Sequence, residues 1–475
     1  MQSFHSQTKI VATIGPASSS KEVLREMFLA GLSVCRLNFS HGQYEDHKKV
    51  VQNILDLNEE LNMHTAMLVD LQGPKLRIGE VENNAVELID GAEIEFVNTP
   101  CMGTAKKVYM SYQLFPQDVS EGENILIDDG KLKIRVIKTN KKDRVTGKVI
   151  NGGILSSKKG VNLPDTKISL PCLTDKDKED LQFALEQNVD WIGLSFVRSA
   201  TDIMELKDII KKNKKHARVV AKIEKPEAIT DIDDIIDITD AIMVARGDLG
   251  VEIPYEQVPL VQKMLVKKCN EKAKPVIIAT QMLESMITNF RPTRAEVTDV
   301  SNAVLDGADA VMLSAETSVG KYPVDVIKAM QQIIDYSEKY GFVFYKDYTL
   351  KDQSHSYFPD SICHAACDLA KRIEARSIIT FTHTGHTTIR ISSYRPKTNI
   401  FAFSTNKYLL RQLSLVWGVR AFYFDHFETI DESIEISLQI LKRQQLINEC
   451  EYVVHVASTP FNENNRTNMI KLTYV

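Results

Sequence analysis

The sequence predicts an α/β protein: a (β/α)8 barrel carrying an inserted small all-β domain, followed by a C-terminal α/β domain with a parallel sheet. Three observations predict it. Eight short runs rich in Val, Ile, Leu and Ala recur with helix-like segments between them. The recurrence breaks once, over residues 72–190, where short β-like pieces alternate with turn signals. After residue 343 it resumes with five more runs.

The eight runs are Lys9–Gly15, Ser33–Phe39, Thr65–Leu71, Trp191–Phe196, Val219–Glu224, Ala241–Arg246, Val276–Gln281 and Ala310–Glu316. Runs without polar alternation fit parallel strands covered on both faces. Lys21–Ala30, Glu45–Leu61, Asp175–Gln187, Thr201–Lys212 and Tyr255–Lys272 read as helices between them. Eight such units are the count of a closed barrel. The interruption holds Ala85–Leu88, Glu93–Val97, Asn124–Ile127, Leu132–Ile137 and Arg144–Val149. They are punctuated by Asp129-Gly130, Asn151-Gly152-Gly153 and Leu163-Pro164-Asp165, which mark turns. The expected division is a barrel over 1–73 and 172–342, an inserted β-barrel lid domain over 74–171, and a C-terminal domain over 343–475. The last domain's strands are expected at Ser377–Thr382, Asn399–Ser404, Val419–Phe424, Tyr452–Ala457 and Lys471–Val475.

Composition narrows the function classes. The 475 residues are 43% hydrophobic and 25% charged, with a formal net charge of −5. A nucleic-acid or membrane-surface binder would show a basic excess. No apolar run approaches the ~20 residues of a spanning helix, and Met1–Lys9 lacks a signal peptide's apolar core. A cytoplasmic protein is expected. The seven cysteines are scattered without a CxxC pair. Cys363 and Cys367, one helical turn apart, read as reduced structural thiols.

In such a barrel the active site lies at the C-terminal ends of the strands, and chemistry-bearing residues collect there. Arg36, Asn38, Ser40 and His41 close the second run, Asp70 the third, Thr280 and Gln281 the seventh, and Ser314 lies in the eighth. Lys222 and Glu224, two apart, share one face of the fifth strand. Their neighbours Val219, Val220, Ala221 and Ile223 are apolar, and charges among buried residues are costly unless paired or bound to metal. Asp248 follows the sixth strand. Two carboxylates suit Mg2+ or Mn2+, which take oxygen ligands. A neighbouring ammonium offers fixed positive charge to a transferring phosphoryl group, and Arg36 a planar fork for phosphate.

The motifs around these residues are KIVATIGPAS (9–18), RLNFSHG (36–42), KGVNLP (159–164), AKIEKPEAI (221–229), MVARGDLGVEIP (243–254), ATQMLESM (279–286) and the long RPTRAEVTDVSNAVLDGADAVMLSAETSVGKYP (291–323). Dense and in order, they span the whole predicted barrel, and there the sequence resembles the pyruvate kinase family. The resemblance implies a TIM-type barrel and transfer of the phosphoryl group of phosphoenolpyruvate to ADP, giving pyruvate and ATP. It assigns Glu224 and Asp248 to a divalent ion, and Lys222 and Arg36 to the phosphoryl group. Gly247, Asp248 and Thr280 would seat the substrate carboxylate. Thr280, with nearby water, would pass a proton to the enolate carbon; Ser314 is a weaker candidate. Asn38, Phe39, Ser40, His41, Arg77, Lys158 and Lys159 would meet the nucleotide, the two lysines from an inserted domain that closes over the site. A homotetramer is expected by resemblance alone.

Asn38, Ser40, Asp70 and Leu71 match the family's monovalent-cation site, but the chain departs from the commoner pattern there. Members that need K+ usually carry Thr-Lys-Gly-Pro-Glu after the aspartate; here Leu71-Gln72-Gly73-Pro74-Lys75 stands. Leu71, Gln72 and Lys75 resemble the family's K+-independent branch: a Lys75 ammonium can take the place of the K+ charge, so activity without K+ is expected, the other reading being that Lys75 points to solvent. In the C-terminal domain Thr382, Thr384, Gly385 and Thr387 resemble the family's effector loop, where hydroxyls meet a helix N-terminus. His383 and His386 read as solvated. The glycine-rich stretch of sugar-bisphosphate-binding members is missing at Ser458–Arg466, so the effector is not specified. Two other readings remain open: a Mg2+-dependent barrel lyase acting on pyruvate or its enolate, and a catalytically dead regulatory homologue.

Overall fold

A computed structural model describes residues 6–341, 343–346, 348, 356–425, 429–460 and 466–475. Eight parallel strands close a barrel: β1 (Lys9–Thr13), β2 (Val34–Asn38), β3 (Ala66–Asp70), β4 (Trp191–Leu194), β5 (Arg218–Ile223), β6 (Ala241–Ala245), β7 (Val276–Ala279) and β8 (Ala310–Leu313). The ring closes where β1 pairs with both β2 and β8. Each strand ends earlier than its apolar run, because the residues that follow turn outward to build the loops above the barrel.

Strand alternation sorts the side chains into two sets. Ile10, Ala12, Val219, Ala221 and Ile223 face the helices and join the main core with Leu24, Phe28, Ile54 and Leu265. Val11, Val34, Leu68, Trp191, Val220, Met243 and Ile277 fill the barrel interior. Two residues further along, the interior parity carries Thr13, Arg36, Asp70 and Lys222, and four beyond Trp191 it carries Ser195, which Lys222 meets, so these five form the next layer up. Helix starts follow local capping chemistry: Thr174 and Asp177 make a reciprocal capping box before Asp175–Glu186, as do Thr293 and Glu296 before Arg294–Asp306.

Between β3 and β4 lie a two-stranded sheet, Ala85–Leu88 with Gly153–Ser156, and a six-stranded one. The latter runs Val161–Asn162, Asn124–Ile127, Leu132–Thr139, Arg144–Asn151, Glu93–Val97 and Lys107–Tyr109 in spatial order. They enclose their own core of Ile94, Phe96, Phe115, Ile125, Ile134 and Val149. The pieces at 107–109 and 161–162 are too short to be read from the sequence, and 153–156 starts on a glycine that reads as part of a turn.

The C-terminal sheet has the order Val419–Tyr423, Asn399–Ser404, Ser377–Phe381, Tyr452–Ala457 and Met469–Tyr474. Four strands are parallel as expected; the fifth, Met469–Tyr474, is antiparallel to its neighbour. The connection 458–468 is too short for the crossover that a parallel return needs. Helix Tyr357–Arg372 covers one face through Cys363, Ala366, Cys367 and Ala370, and Ile430–Arg443 the other through Ile434 and Leu441. All seven cysteines are free thiols, with Cys363 and Cys367 buried. This domain plugs the N-terminal end of the barrel, where Leu415 joins the barrel-interior cluster. No helix among the described residues is long and apolar enough to cross a membrane.

Candidate active site

The layer above the barrel interior is a network of buried charge. Lys222 Nζ lies 2.8 Å from Glu224 Oε1 and 3.2 Å from Asp70 Oδ1, and donates to Ser195 Oγ at 2.7 Å. Ser195 passes the bond on to the Leu71 carbonyl at 2.7 Å. Arg36 grips Asp70 Oδ2 through Nε, at 2.9 Å, and through Nη2, while Nη1 reaches Thr13 Oγ1 at 2.8 Å. A guanidinium has five N–H donors; these contacts use three and leave two. Arg36, Asp70, Lys222 and Glu224 are each no more than 9% exposed.

Electrostatics follows from this crowding. Burial works against the Lys222 ammonium, but Asp70 and Glu224 outweigh it and hold its pKa above that of an ordinary lysine. Burial would raise Asp70 too, yet Lys222 and Arg36 keep its carboxyl below the usual range. Glu224 goes the other way: burial and the Asp248 charge raise it despite Lys222. Two carboxylates that repel each other across one site are a setting a divalent cation would relieve. Among the described residues no group of three or more His, Cys, Asp or Glu side chains is arranged as a metal cage. Glu224 and Asp248 are the two carboxylates that interact here, too few for a protein-only cage and compatible with an ion that keeps water in its shell.

Asp248 is exposed in the first turn of the short helix Arg246–Glu252. Next to it, the Gly247 N–H donates to Thr280 Oγ1 at 2.7 Å. A Cβ on Gly247 would sit 3.3 Å from that oxygen, so glycine keeps the approach open. Thr280 has φ +72°, and Gln281 φ +55°. A β-branched residue there is a real outlier, of a kind that costs about 1–3 kcal/mol and clusters at functional sites. Arg246 holds the distortion: Nη2 donates to the Thr280 carbonyl at 2.8 Å while Nη1 pairs with Asp299 at 2.7 Å. Ser314 starts the turn 315–318, its N–H bonded to Glu316 at 2.6 Å.

Lys75 stands exposed on the rim. Partial desolvation lowers its pKa; Asp248 and Glu224 act to raise it, and Lys222 and Arg77 to lower it, so it lies within the field of the carboxylate pair. A cavity of about 340 Å3 beside it is lined by the two segments that join barrel and insert, through Gln72, Lys75 and Leu170, and by Gln113 of the insert itself. Of the nucleotide candidates, Asn38 Oδ1 accepts from the Ser40 N–H at 3.1 Å, and the His41 carbonyl meets His47 at 2.9 Å. The Phe39 ring turns into the core, 4.5 Å from the His47 ring, and its N–H is bonded to the Asp70 carbonyl. Arg77 Nη1 donates to the Lys158 carbonyl at 2.9 Å, which brings 77 and 158 together across the insert. Lys158 and Lys159 are paired with Glu80 and Asp128, at 3.1 and 2.8 Å.

In the C-terminal domain Thr382 Oγ1 accepts from the Gly385 N–H at 2.9 Å, and Gly385, φ +88°, precedes helix His386–Ser393. Thr387 Oγ1 is already bonded to Thr467 at 2.6 Å, while the Thr384 carbonyl accepts from Arg218 at 2.7 Å. His386 lies 3.8 Å from Asp360. Residues 461–465, the centre of the glycine-poor stretch, lie outside the described residues.

Comparison with known proteins gives the family. The family model "pyruvate kinase, barrel domain" matches residues 5–327, and "pyruvate kinase, alpha/beta domain" matches 360–473. The chain belongs to the pyruvate kinase family. It is 41% identical to the pyruvate kinase of Geobacillus stearothermophilus over 98% of this chain and 80% of that one. With a pyruvate kinase of Agrobacterium vitis the identity is 43% over 98% of each chain. The crystal structure of a pyruvate kinase from Cryptosporidium parvum superposes with a TM-score of 0.92 at 35% identity, covering 99% of this chain and 96% of that one. Membership favours neither the lyase nor the dead-homologue reading.

Thr13 and Ser195 escaped the sequence reading; Arg246 reads from sequence as a strand-end residue, but not as a brace for Thr280. Thr13 and Ser195 follow the interior parity of Val11 and Trp191, a usable signal, but a hydroxyl on an apolar strand carries no burial cost large enough to stand out.

Proposed function

We propose that Lys222, Arg36, Glu224, Asp248 and Thr280 carry the reaction of this phosphotransferase, the transfer of the phosphoenolpyruvate phosphoryl group to ADP to give pyruvate and ATP. The observation that carries the assignment is the network in which Lys222 lies 2.8 Å from Glu224 and 3.2 Å from Asp70. It keeps a full positive charge, fixed in place, where few waters can screen it. Lys222 and the two unused N–H groups of Arg36 stabilise the phosphoryl oxygens as charge shifts among them. Glu224 and Asp248 hold Mg2+ or Mn2+, which when bound neutralises charge on the substrate's carboxylate and phosphate. Gly247, Asp248 and Thr280 orient the substrate carboxylate. The Thr280 hydroxyl, bonded to the Ala279 carbonyl at 2.6 Å, is placed by its strained backbone to relay a proton to the enolate carbon, with Ser314 as a lesser candidate.

Lys75 takes the electrostatic role of K+ in this reading, supported by the pull that Asp248 and Glu224 exert on it. Arg36 and Lys222 already neutralise Asp70, the only carboxylate among Asn38, Ser40, Asp70 and Leu71. Nucleotide would lie between the 38–41 segment and Arg77, Lys158 and Lys159, with Glu80 and Asp128 exchanged for phosphate. A separate core supports the insert at 74–171; the C-terminal domain, taken as 343–475, has a core of its own, while its Val343 and Trp417 pack into the core of the barrel. A phosphorylated effector at Thr382, Thr384, Gly385 and Thr387, a homotetrameric assembly and a cytoplasmic location complete the proposal.

The test is an assay of pyruvate formation from phosphoenolpyruvate and ADP in K+-free buffer, with Mn2+ binding followed by calorimetry. The full chain should turn over, and Glu224→Gln should lose both turnover and Mn2+ binding. Unchanged Mn2+ affinity in Glu224→Gln would sink the metal assignment.

A further inference from the structure

A second polar cluster, outside every assignment above, joins the insert to the barrel. Asn162, at the end of the strand Val161–Asn162, donates through Nδ2 to Glu252 Oε1 at 2.7 Å. Lys225 Nζ meets the same oxygen at 2.7 Å. Glu252 is 5% exposed, and its second oxygen, Oε2, has no hydrogen-bond partner among the described residues. Holding a carboxylate there is expensive unless its contacts repay the lost hydration.

The cluster's position is what gives it meaning. Glu252 is the last residue of the helix Arg246–Glu252, whose first turn carries Gly247 and Asp248. Lys225 directly follows Glu224, and its ammonium sits 6.0 Å from the Phe196 ring centroid. The Phe196 N–H in turn holds Glu224 Oε2 at 2.7 Å. Asn162 belongs to the KGVNLP segment, three residues from Lys159. One carboxylate thus links the insert, the Asp248 helix and the Glu224 strand end. A seven-residue helix moves as a unit, so a pull on its last residue is felt at its first.

We propose that Asn162, Glu252 and Lys225 form a latch that couples the position of the insert to the geometry of the Glu224–Asp248 pair. Asn162 and Glu252 are positioning residues: they touch neither substrate nor nucleotide, and act through the helix and the strand end. Seating a nucleoside diphosphate against the insert tightens the latch and so raises affinity on the phosphoenolpyruvate side. By linkage, phosphoenolpyruvate raises nucleotide affinity by the same factor. The proposal rests on the reading of Glu224 and Asp248 given above for its consequence, but not for its mechanical content.

The experiment uses the full chain and its Asn162→Ala and Glu252→Gln variants. Hydrogen–deuterium exchange of residues 246–252, with no ligand present, reads the mechanical link; phosphoenolpyruvate affinity with and without saturating ADP reads the coupling. Asn162→Ala lies on the insert, yet it should speed exchange in 246–252 and cut the ADP-induced gain in phosphoenolpyruvate affinity by about tenfold or to none. That is the factor a hydrogen bond to a charged acceptor supplies. Glu252→Gln, nearly isosteric, should do the same, and the double variant should be no worse than the single ones. Unchanged exchange in 246–252 for Asn162→Ala, or an undiminished ADP effect, overturns the latch. Failure of the metal reading would appear separately, as wild-type Mn2+ binding by Glu224→Gln with the exchange link intact.

Discussion

The two ends of the barrel both bury ion pairs, and they use them differently. At the N-terminal end Asp309 has both oxygens hydrogen-bonded: Oδ2 by Arg395, at 2.8 Å, and by the Val276 N–H, and Oδ1 by the Trp417 N–H. Arg395 also donates to Asn270 and to the Gly307 carbonyl, lies 5.0 Å from the Trp417 ring centroid, and leaves only Nε unpaired. Asp190 is likewise taken on both oxygens, by Arg411 and by the Met67 N–H. At the C-terminal end Asp70 Oδ1 faces Lys222 without a hydrogen bond, Glu224 is crowded by Asp248, and Thr280 is held at positive φ. A buried ion pair is therefore no sign of function in itself. The candidate site lies at the end whose charges remain incompletely answered and whose backbone carries strain.

Substitutions can break or sharpen that contrast. Lys222→Met should lower kcat about a thousandfold, at the upper end of what one electrostatic stabiliser contributes, with the far-UV spectrum unchanged. A residual rate near wild type would mean the two ends do not differ in kind. Arg395→Met attacks the opposite end and should leave turnover at 25 °C intact. It should cost about 3–5 kcal/mol in chemical denaturation, because Asp309 stays buried without its partner. A variant as stable as the parent would show that the plug is dispensable.

Lys75→Glu tests the rim. Reversing that charge beside Asp248 and Glu224 should make turnover depend on K+ by about tenfold, read by titrating KCl into a tris-buffered assay. Rates insensitive to K+ in both proteins would leave Lys75 without its role. The smallest effect is expected far from either end. His455 is fully buried, neither ring nitrogen has a partner among the described residues, and burial lowers its pKa to about 3. The unfolded chain binds that proton near pH 6.5, so this residue's stabilisation is present above pH 6.5 and is lost as pH falls towards 3. His455→Leu should flatten the decline in Tm over that acid range; an unchanged slope would show that His455 does not contribute to it.

Much of the site was legible because its cost is visible in one dimension. Lys222 and Glu224 interrupt a strand of Val219, Val220, Ala221 and Ile223, and only pairing or metal explains such charges. Thr13 and Ser195 share their layer but are chemically quiet on a strand, and the structural duty of Arg246, bracing Thr280, has no local signature. The resemblance alone assigns Lys158 and Lys159 to the nucleotide; the fold adds Glu80 and Asp128 as their ion-pair partners, distant in sequence. The antiparallel last strand was missed because direction depends on the short connection 458–468 and not on the strand's own residues.

By itself the sequence determined the eight-fold recurrence, the interruption after the third strand, and the shared face of Lys222 and Glu224, since these depend on period and spacing. Tertiary structure alone decided which charges meet: Asp70 between Arg36 and Lys222, Thr280 strained under Arg246, and Asn162 on Glu252 across the boundary of the insert. The physical reason is range. Backbone periodicity is a local property of the chain, whereas the energy of a buried charge is set by whatever the closed barrel brings within about 3 Å of it.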